Sequence, residues 1–178
     1  MKKVPIFISV VILLGLCFGC RDQEATAELA ALKAQAEVEE QNKALVIKMY
    51  EEIDKQNFDF VFENCAPDAR LYGAGGFEPM TRNDLKPMFP MWFNAFPDYK
   101  HSVEDVFAKG DKVIARCIYT GTHEGEFMGA PPTGNSFKYL GIHIWRIQEG
   151  KLVEGWILED MLYLMTQLGM ELNPKQEK

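Results

Sequence analysis

Two ionisable side chains in the last third of the chain, His143 and Asp160, have the types needed for general acid–base chemistry. An imidazole or a carboxylate can take up and release a proton near neutral pH when its surroundings adjust its pKa. Glu149 and Gly150 lie between the two and are typical of a two-residue turn between antiparallel strands. The sequence therefore predicts that His143 and Asp160 belong to one β-hairpin.

Counting residues across this turn predicts which side chains share a face of the sheet. With Glu149 and Gly150 at the centre of the turn, Ile147 pairs with Leu152, and directly opposed residues point to the same face. His143 is then predicted to oppose Trp156. The predicted face carries Tyr139, His143, Trp145, Trp156, Leu158 and Asp160. A three-residue loop with a bulge would instead turn His143 to the other face.

The same register separates His143 and Asp160 along the hairpin. Asp160 lies four residues beyond Trp156, which is about 13 Å along a strand at about 3.3 Å per residue. We therefore expect the two side chains to line one cavity in separate roles, without a direct hydrogen bond between them.

Asp160 is the first candidate for an acid–base residue. A carboxylate beside Trp156, Leu158 and Tyr139 would be partly desolvated, which raises its pKa toward neutral and makes it a better base toward a carbon acid. Such chemistry needs no metal or cofactor. The alternative is that Asp160 is a surface residue or a cap for the terminal segment that follows it.

The stretch 120–160 resembles the SnoaL-like polyketide and ester cyclase family, a branch of the NTF2-like cone folds. The resemblance rests on the motif Thr-Gly-Thr-His-Glu-Gly at 120–125, the loop 128–134 with its Pro-Pro-Thr-Gly, and the run Trp-Ile-Leu-Glu-Asp at 156–160. It is anchored downstream by Gln-Leu-Gly at 167–169 and extends back to about residue 45. The resemblance implies an α+β cone, in which N-terminal helices and a curved antiparallel sheet of four to five strands surround a pocket.

The resemblance also implies roles for particular residues. Asp160 would be the general acid/base of an intramolecular aldol ring closure, and His143 would bind or polarise a substrate carbonyl, unless it is a hydrogen-bonded core histidine. Tyr50 matches a substrate-facing tyrosine, although packing on a helix explains it equally well. His123 could reach the pocket mouth or be structural in its turn. Gly141 departs from cyclases that carry glutamine there, so one polar contact to the substrate is absent.

The segments before residue 100 are predicted to be mainly helical. Apolar residues at 46, 49, 50 and 53 follow the spacing of one buried helix face, and a second short helix is predicted at 58–65. A short strand is predicted at 68–72. Thr81 is a candidate N-cap for a helix through Phe96, with a kink or a division into two pieces at Pro87 and Pro90.

Four later runs are rich in β-branched and aromatic residues and predict an antiparallel meander: 100–108, 112–122, 137–148 and 152–164. Helices followed by a run of strands indicate an α+β domain.

The start of the chain is predicted to be a targeting segment. Residues 1–19 have an early positive charge and an apolar run, and residues 16–20 resemble a lipobox in which Cys20 is acylated. An ordinary cleaved signal and an uncleaved transmembrane helix are the alternatives. Residues 20–43, rich in Ala, Glu, Gln and Lys, are predicted to form a helical stalk, and residues 44–178 the SnoaL-like domain.

Composition limits the partners of this domain. The 178 residues carry a formal net charge of -7, which argues against a nucleic-acid partner. The expected ligand is a small apolar molecule, the expected membrane contact is the lipid anchor, and the fold family implies a homodimer. No metal-ligand cluster is visible, and the spacing of Cys65 and Cys117 does not show whether they pair. An enzyme, a non-catalytic ligand-binding module and a structural lipoprotein all remain compatible with the sequence.

Overall fold

The structure is a computed structural model that describes residues 6–73, 76 and 78–170. The chain forms two compact units, one up to Val38 and one from Glu39. The first five residues of the predicted signal segment, the side chain of Cys20 and residues 171–178 lie outside the described part. Within that part, no helix combines the length and the apolar character needed to cross a membrane.

The first helix, α1, spans Ile6–Asp54. The predicted helical character of residues 20–43 is therefore confirmed, but α1 continues without a break past the predicted boundary at residue 44. In the unit that begins at Glu39, α1 buries Val46, Met49 and Tyr50, as the apolar spacing predicts.

The second unit continues with three more helices and a six-stranded sheet. Its elements are α2 (Phe58–Asn64), β1 (Cys65–Tyr72), β2 (Met80–Thr81), α3 (Arg82–Ala95), β3 (Lys100–Lys109), β4 (Lys112–Thr122), β5 (Ser136–Gln148), β6 (Lys151–Glu159) and α4 (Met161–Gln167). The strand order is β2-β1-β6-β5-β4-β3, and the sheet is curved and unclosed. The predicted α+β class and the meander from β3 to β6 are confirmed.

The sheet has more strands than the four to five that we expected. β1 begins at Cys65 rather than at Asp68, and it pairs in parallel with β6, while the two-residue β2 pairs antiparallel with β1. These two strands extend the meander on its β6 side.

Helix α3 begins as predicted but is continuous. Thr81 and Asp84 form a reciprocal capping box, since the Asp84 carboxylate accepts a hydrogen bond from the Thr81 backbone at 2.6 Å. Of the two alternatives predicted at Pro87 and Pro90, the division into two pieces is wrong, because both prolines lie inside one 14-residue helix. The kink stays a prediction.

The β5–β6 hairpin has the predicted turn and a different register beyond it. Glu149 and Gly150 both have positive φ, 51° and 71°, as a type I′ turn requires, and Ile147 pairs with Leu152. Between the pairs Ile147↔Leu152 and Arg146↔Glu154 the register shifts by one residue. An extra residue in one strand reverses which of its later side chains share a face with the partner strand.

The consequence is that His143 pairs with Ile157, not Trp156, and Gly141 pairs with Glu159. The fourth predicted strand also ends earlier than expected. β6 stops at Glu159, and residues 161–167 are helical instead of extended.

The buried face of the sheet follows the two-residue period of a strand. Alternate residues of β4 and β5 are buried, among them Cys117, Tyr119, Tyr139 and His143. This face packs toward the helices and provides the sheet side of the core.

Candidate active site

A partly open cavity of about 230 Å³ lies between helices α1, α2 and α3 and the buried face of the sheet. Its wall is mostly apolar, with aromatic rings and methionines. Seven of the described side chains that contribute to it have nitrogen or oxygen atoms: Tyr50, Trp92, Tyr99, His101, His143, Trp145 and Glu159. An apolar cavity with a few convergent polar groups is the arrangement typical of a small-molecule site.

One chain of hydrogen bonds runs from Trp145 through Tyr50 and His143 to Tyr119. The Trp145 indole Nε1 donates to the Tyr50 hydroxyl at 3.0 Å, and this hydroxyl lies 2.8 Å from Nδ1 of His143. The Glu159 carboxylate, whose Oε1 lies 3.3 Å from Nε2 of His143, favours the neutral ring with its proton on Nε2. Nδ1 then accepts from Tyr50, and Nε2 donates to the Tyr119 hydroxyl at 3.0 Å.

A second chain of hydrogen bonds reaches the other oxygen of the same carboxylate. The Tyr139 hydroxyl donates to Glu159 Oε2 at 3.1 Å, and the Tyr99 hydroxyl lies 2.7 Å from the Tyr139 hydroxyl. Since Tyr139 uses its hydrogen on Glu159, Tyr99 is the donor in the bond between the two tyrosines. The second chain therefore ends on Glu159, while the first passes within 3.3 Å of it at His143 Nε2. Successive hydrogen bonds of such a chain strengthen one another in a low-dielectric interior.

The tyrosines of the two chains stay protonated in this setting. Burial, followed by the nearby Cys117 thiol, raises the pKa of Tyr50 well above its ordinary value. Burial and the charge of Glu159 raise the pKa of Tyr139, and burial with the neighbouring Tyr139 raises that of Tyr99. All three hydroxyls are hydrogen-bond donors at neutral pH.

Glu159 combines partial burial with unused acceptor capacity. Its side chain is 15% exposed, and among the described residues of the cavity wall it is the only carboxylic acid. A carboxylate offers about four lone-pair positions, of which Tyr139 fills one. The remaining positions allow Glu159 to accept a proton from a bound ligand.

Gly141 makes room for this carboxylate. A Cβ at position 141 would lie 2.7 Å from Cε2 of Tyr119 and 3.1 Å from Cγ of Glu159. Any side chain there would have to displace one of them. The glycine that departs from the expected glutamine is thus the residue that lets Tyr119 and Glu159 approach each other.

A second imidazole, His101, lies in the cavity wall with a carboxylate behind it. Its Nδ1 is 2.5 Å from Oδ1 of Asp54, which also accepts from the His101 backbone N–H at 3.1 Å. The ring packs against Tyr50, Tyr99 and Tyr119 at centroid distances of 5.1, 5.1 and 5.0 Å.

The predicted position of Asp160 is wrong. The register shift in β6 moves Asp160 off the cavity face, where it is exposed, and its Oδ1 accepts from the Tyr163 backbone N–H at 3.0 Å as the N-cap of α4. The alternative interpretation, a cap for the terminal segment, is confirmed.

Trp156 and Leu158 are also on the opposite face from the one predicted. Leu158 is 65% exposed, and Trp156 stacks on Tyr72 with 6.0 Å between ring centroids, while the Lys112 ammonium lies 5.8 Å from its ring. Neither residue contributes to the cavity, because each alternates with the residues of β6 that do.

The other predicted site residues are divided between the cavity and its surroundings. Tyr50 and His143 lie in the cavity wall as expected, and Tyr139 lies on the predicted face but behind the wall, bound to Glu159. His123 is fully buried away from the cavity, with Nδ1 3.1 Å from Thr133 Oγ1.

The sequence interpretation missed Glu159, His101 and Tyr119 for definable reasons. No residue type in the sequence indicates the one-residue bulge in β6 that turns Glu159 toward the cavity. The pairing of His101 with Tyr119 follows from β3–β4, where a two-residue Gly-containing turn gives the approximate alignment but a second bulge lies between Val103 and Asp105. The cross-strand pair Tyr119↔Tyr139 spans a long loop, so no short turn fixes it.

Metal ligands and thiols contribute little to this site. In the part of the chain that the structure describes, no group of three or more potential ligands is arranged to hold a metal ion. Cys65 and Cys117 are free thiols, and burial raises the pKa of each to about 11. Both are therefore neutral at physiological pH.

Comparison with known proteins assigns the family. The sequence model described as SnoaL-like polyketide cyclase matches residues 44–168. The chain belongs to the SnoaL-like polyketide cyclase family. No curated protein matches it.

Solved structures of SnoaL-like proteins share the fold. AclR of Streptomyces galilaeus, a proposed hydroxylase, is 29% identical, with a TM-score of 0.68 over 74% of this chain and 97% of AclR. IdmH of Streptomyces antibioticus, a proposed polyketide cyclase, is 31% identical, with a TM-score of 0.67 over 73% of this chain and 99% of IdmH. A proposed SnoaL-like polyketide cyclase from Jannaschia sp. CCS1, 23% identical with a TM-score of 0.69, covers 75% of this chain and 95% of its own and shows the fold alone.

Proposed function

We propose that this SnoaL-like protein performs cofactor-independent acid–base chemistry on a small apolar carbonyl compound, with Glu159 as the proton acceptor. The observation that carries the proposal is one carboxylate in the wall of an apolar cavity, hydrogen-bonded to Tyr139 and 3.3 Å from Nε2 of His143. The role that the family resemblance implies for Asp160 is assigned here to its neighbour, because only Glu159 borders the cavity.

The reaction begins with removal of a proton from the carbon next to the carbonyl group. The C–H electron pair moves toward the carbonyl oxygen as the proton passes to Glu159, and negative charge develops on that oxygen. His143 Nε2–H, no longer opposite a charged carboxylate, can then donate to the oxygen. Return of the proton to carbon completes an exchange or isomerisation. In an aldol-type ring closure the enolate carbon instead bonds to a second carbonyl carbon, and the resulting alkoxide oxygen takes the proton back from Glu159.

Binding and positioning of the compound come from the apolar wall. Tyr50 fixes the His143 ring by its hydrogen bond to Nδ1 and contributes its own ring to the cavity. The methionines of the wall suit an adaptable apolar site. The relatives include a proposed hydroxylase and a proposed cyclase, so we extend to this chain only the proton transfer that its own residues support.

The proposal is tested with 2-tetralone, a bicyclic apolar ketone, in D2O. Loss of the protons beside the carbonyl is followed by NMR, and we expect the protein to accelerate exchange in a saturable manner. Ile157→Trp should abolish the acceleration by filling the cavity, whereas Leu158→Trp, the next residue on the opposite face, should preserve it.

Exchange at the buffer rate together with saturable binding would contradict catalysis and support the alternative function, a non-catalytic ligand-binding protein. Equal exchange by the two tryptophan variants, with both folded by circular dichroism, would place the chemistry outside this cavity.

For the cellular location we propose that the protein is held at a bacterial membrane by lipid on Cys20. The support is the lipobox-like sequence at residues 16–20. Mass spectrometry of the mature N-terminal peptide from expressing cells should find an acylated Cys20, and an unmodified N-terminus at another residue would contradict the anchor. Cys20→Ser should release the protein from the membrane fraction.

We also propose that the domain forms a homodimer through the outer face of its sheet. Phe107 and Leu158 are each 65% exposed there, and Ile114, Leu140 and Ile142 add further exposed apolar surface on the same face. Contiguous apolar surface of this kind is typical of a protein interface.

A further inference from the structure

Two hydrogen-bond acceptors in the cavity wall are available to a ligand, in addition to the indole N–H of Trp92. The hydroxyls of Tyr50 and Tyr99 donate to His143 and Tyr139, and the Trp145 N–H donates to Tyr50. These three donors are therefore already used within the protein. The acceptor positions of Glu159 that Tyr139 leaves unfilled are one set that a ligand can reach.

The second available acceptor is Nε2 of His101. The Asp54 carboxylate, 2.5 Å from Nδ1, accepts only when Nδ1 carries a proton, so the neutral ring has its lone pair on Nε2. Asp54 also accepts from the backbone N–H of His101, which fixes the side chain to its own strand.

Nε2 has no hydrogen-bond partner among the side chains and backbone groups that the structure describes. The His101 side chain is 93% buried (7% exposed) and belongs to the cavity wall. Because the ring borders the cavity, its lone pair is open to a hydrogen-bond donor on a bound ligand. His143, by contrast, has partners on both ring nitrogens.

We infer that His101, held by Asp54, is a ligand-binding residue that selects compounds carrying a hydroxyl group, such as a phenol or an enol, on the apolar skeleton. This inference rests on the proposed function for the carbonyl part of the ligand and adds a second recognition point on β3. Asp54 is a positioning residue, since it contacts His101 and does not border the cavity.

The shape of the wall favours an aromatic skeleton for this hydroxyl. Tyr50, Tyr99 and Tyr119 surround the His101 ring, and Trp92 and Phe93 add aromatic rings to the wall. A flat hydroxylated ring can lie against such surfaces while its hydroxyl hydrogen points to Nε2.

The test compares 6-hydroxy-2-tetralone with 6-methoxy-2-tetralone, which keeps the skeleton and the carbonyl but has no hydrogen to donate. Dissociation constants are measured by quenching of tryptophan fluorescence, because Trp92 and Trp145 both border the cavity. We expect the wild-type protein to bind the hydroxy compound about tenfold more tightly, in line with one net hydrogen bond to a buried group. His101→Leu should bring the ratio near one without weakening the methoxy compound, and Ser102→Leu, the exposed neighbour on the same strand, should keep it.

A second measurement does not depend on a variant that folds. In the 15N spectrum of the wild-type imidazoles, His101 should be protonated on Nδ1, and its Nε2 resonance should move on addition of the hydroxy compound but not of the methoxy compound. Equal wild-type affinities, a preference that persists in His101→Leu, an unmoved Nε2 resonance or no binding of either compound would each overturn the inference.

The outcomes separate this inference from the proposed function. Proton exchange in 2-tetralone with no hydroxyl preference would overturn the role of His101 alone. A hydroxyl preference without any exchange would retain His101 as a ligand-binding residue and overturn the chemistry assigned to Glu159.

Discussion

At the scale of single residues, the carboxylate in the cavity wall is Glu159 and not the predicted Asp160. Asp160 and Glu159 are adjacent in sequence, but alternate residues of a strand point to opposite faces, and only Glu159 meets His143 and Tyr139. The apolar surroundings that made Asp160 attractive in the sequence belong to two different faces. A one-residue error in the predicted register was sufficient to place the wrong carboxylate at the cavity.

Gly141 gives a direct test of how closely the site is packed. Gly141→Ala would bring its Cβ to 2.7 Å from Tyr119 and 3.1 Å from Glu159, so we expect a loss of about 1 to 3 kcal/mol in the free energy of unfolding, as for other overpacked cores. Displacement of Glu159 should also slow exchange in 2-tetralone. Leu140→Ala, one residue away on the exposed face, is the control for urea unfolding. Unchanged stability and exchange in Gly141→Ala would show that this close approach has no influence on the site.

At the scale of elements, the end of α1 is joined to the start of α2 by one acidic side chain. Glu52 accepts hydrogen bonds from Lys55 at 2.9 Å and from Asn57 at 2.6 Å, and it pairs with Lys48 at 2.8 Å. These partners, with Lys48 as the largest cause, lower the pKa of Glu52 from 4.5 to about 2. The turn between the two helices directly follows Asp54, the residue that holds His101.

This lowered pKa predicts a pH dependence of stability. Because the folded pKa lies below the unfolded one, Glu52 stabilises the fold above about pH 4.5, and this contribution is lost as the pH falls through about 2. Glu52→Gln should therefore reduce the decline in the free energy of unfolding between pH 5 and 2, measured by urea denaturation. The control is Glu51, whose side chain is 53% exposed and lies 3.5 Å from Lys48. The free energy of unfolding of Glu51→Gln should fall with pH as that of the wild type does. If the free energy of unfolding of Glu52→Gln falls between pH 5 and 2 as much as that of the wild type, ionised Glu52 does not stabilise the fold.

The elements also show what the sequence could and could not predict. The type I′ turn at Glu149-Gly150 and the capping box at Thr81 depend on local backbone geometry, so their residues identify them. The bulge in β6 depends on how the whole strand fits between β5 and β1, so no single residue type predicts it. The pairing of β1 with β6 could not be predicted either, because these strands are far apart in the sequence.

At the scale of the whole molecule, the sheet has one face that lines the cavity and one exposed apolar face. The helices cover the face that carries His143, whereas Phe107, Ile142 and Leu158 on the other face remain exposed. The α+β class and the meander could be predicted because strand periodicity and the order of the elements can be read from the sequence. The family resemblance implied a homodimer, but the sequence analysis did not identify the exposed apolar face.

The dimer proposal is tested by charge on this outer face. Leu158→Lys should convert a dimer into a monomer in light scattering after size-exclusion chromatography, because a buried unpaired charge at an interface is costly. Met91→Lys on α3, away from this face and 45% exposed, should leave the dimer intact. A wild-type domain that remains monomeric at high concentration would contradict the proposal.

The most direct test of the account compares Glu159→Gln with Asp160→Asn in the 2-tetralone exchange assay. Both changes remove one charge at neighbouring positions, and asparagine can still cap α4. The account predicts that Glu159→Gln lowers the exchange rate by at least about 100-fold, the usual contribution of a general base, whereas Asp160→Asn stays within about twofold of the wild type. A large loss in Asp160→Asn with full activity in Glu159→Gln would contradict the central claim.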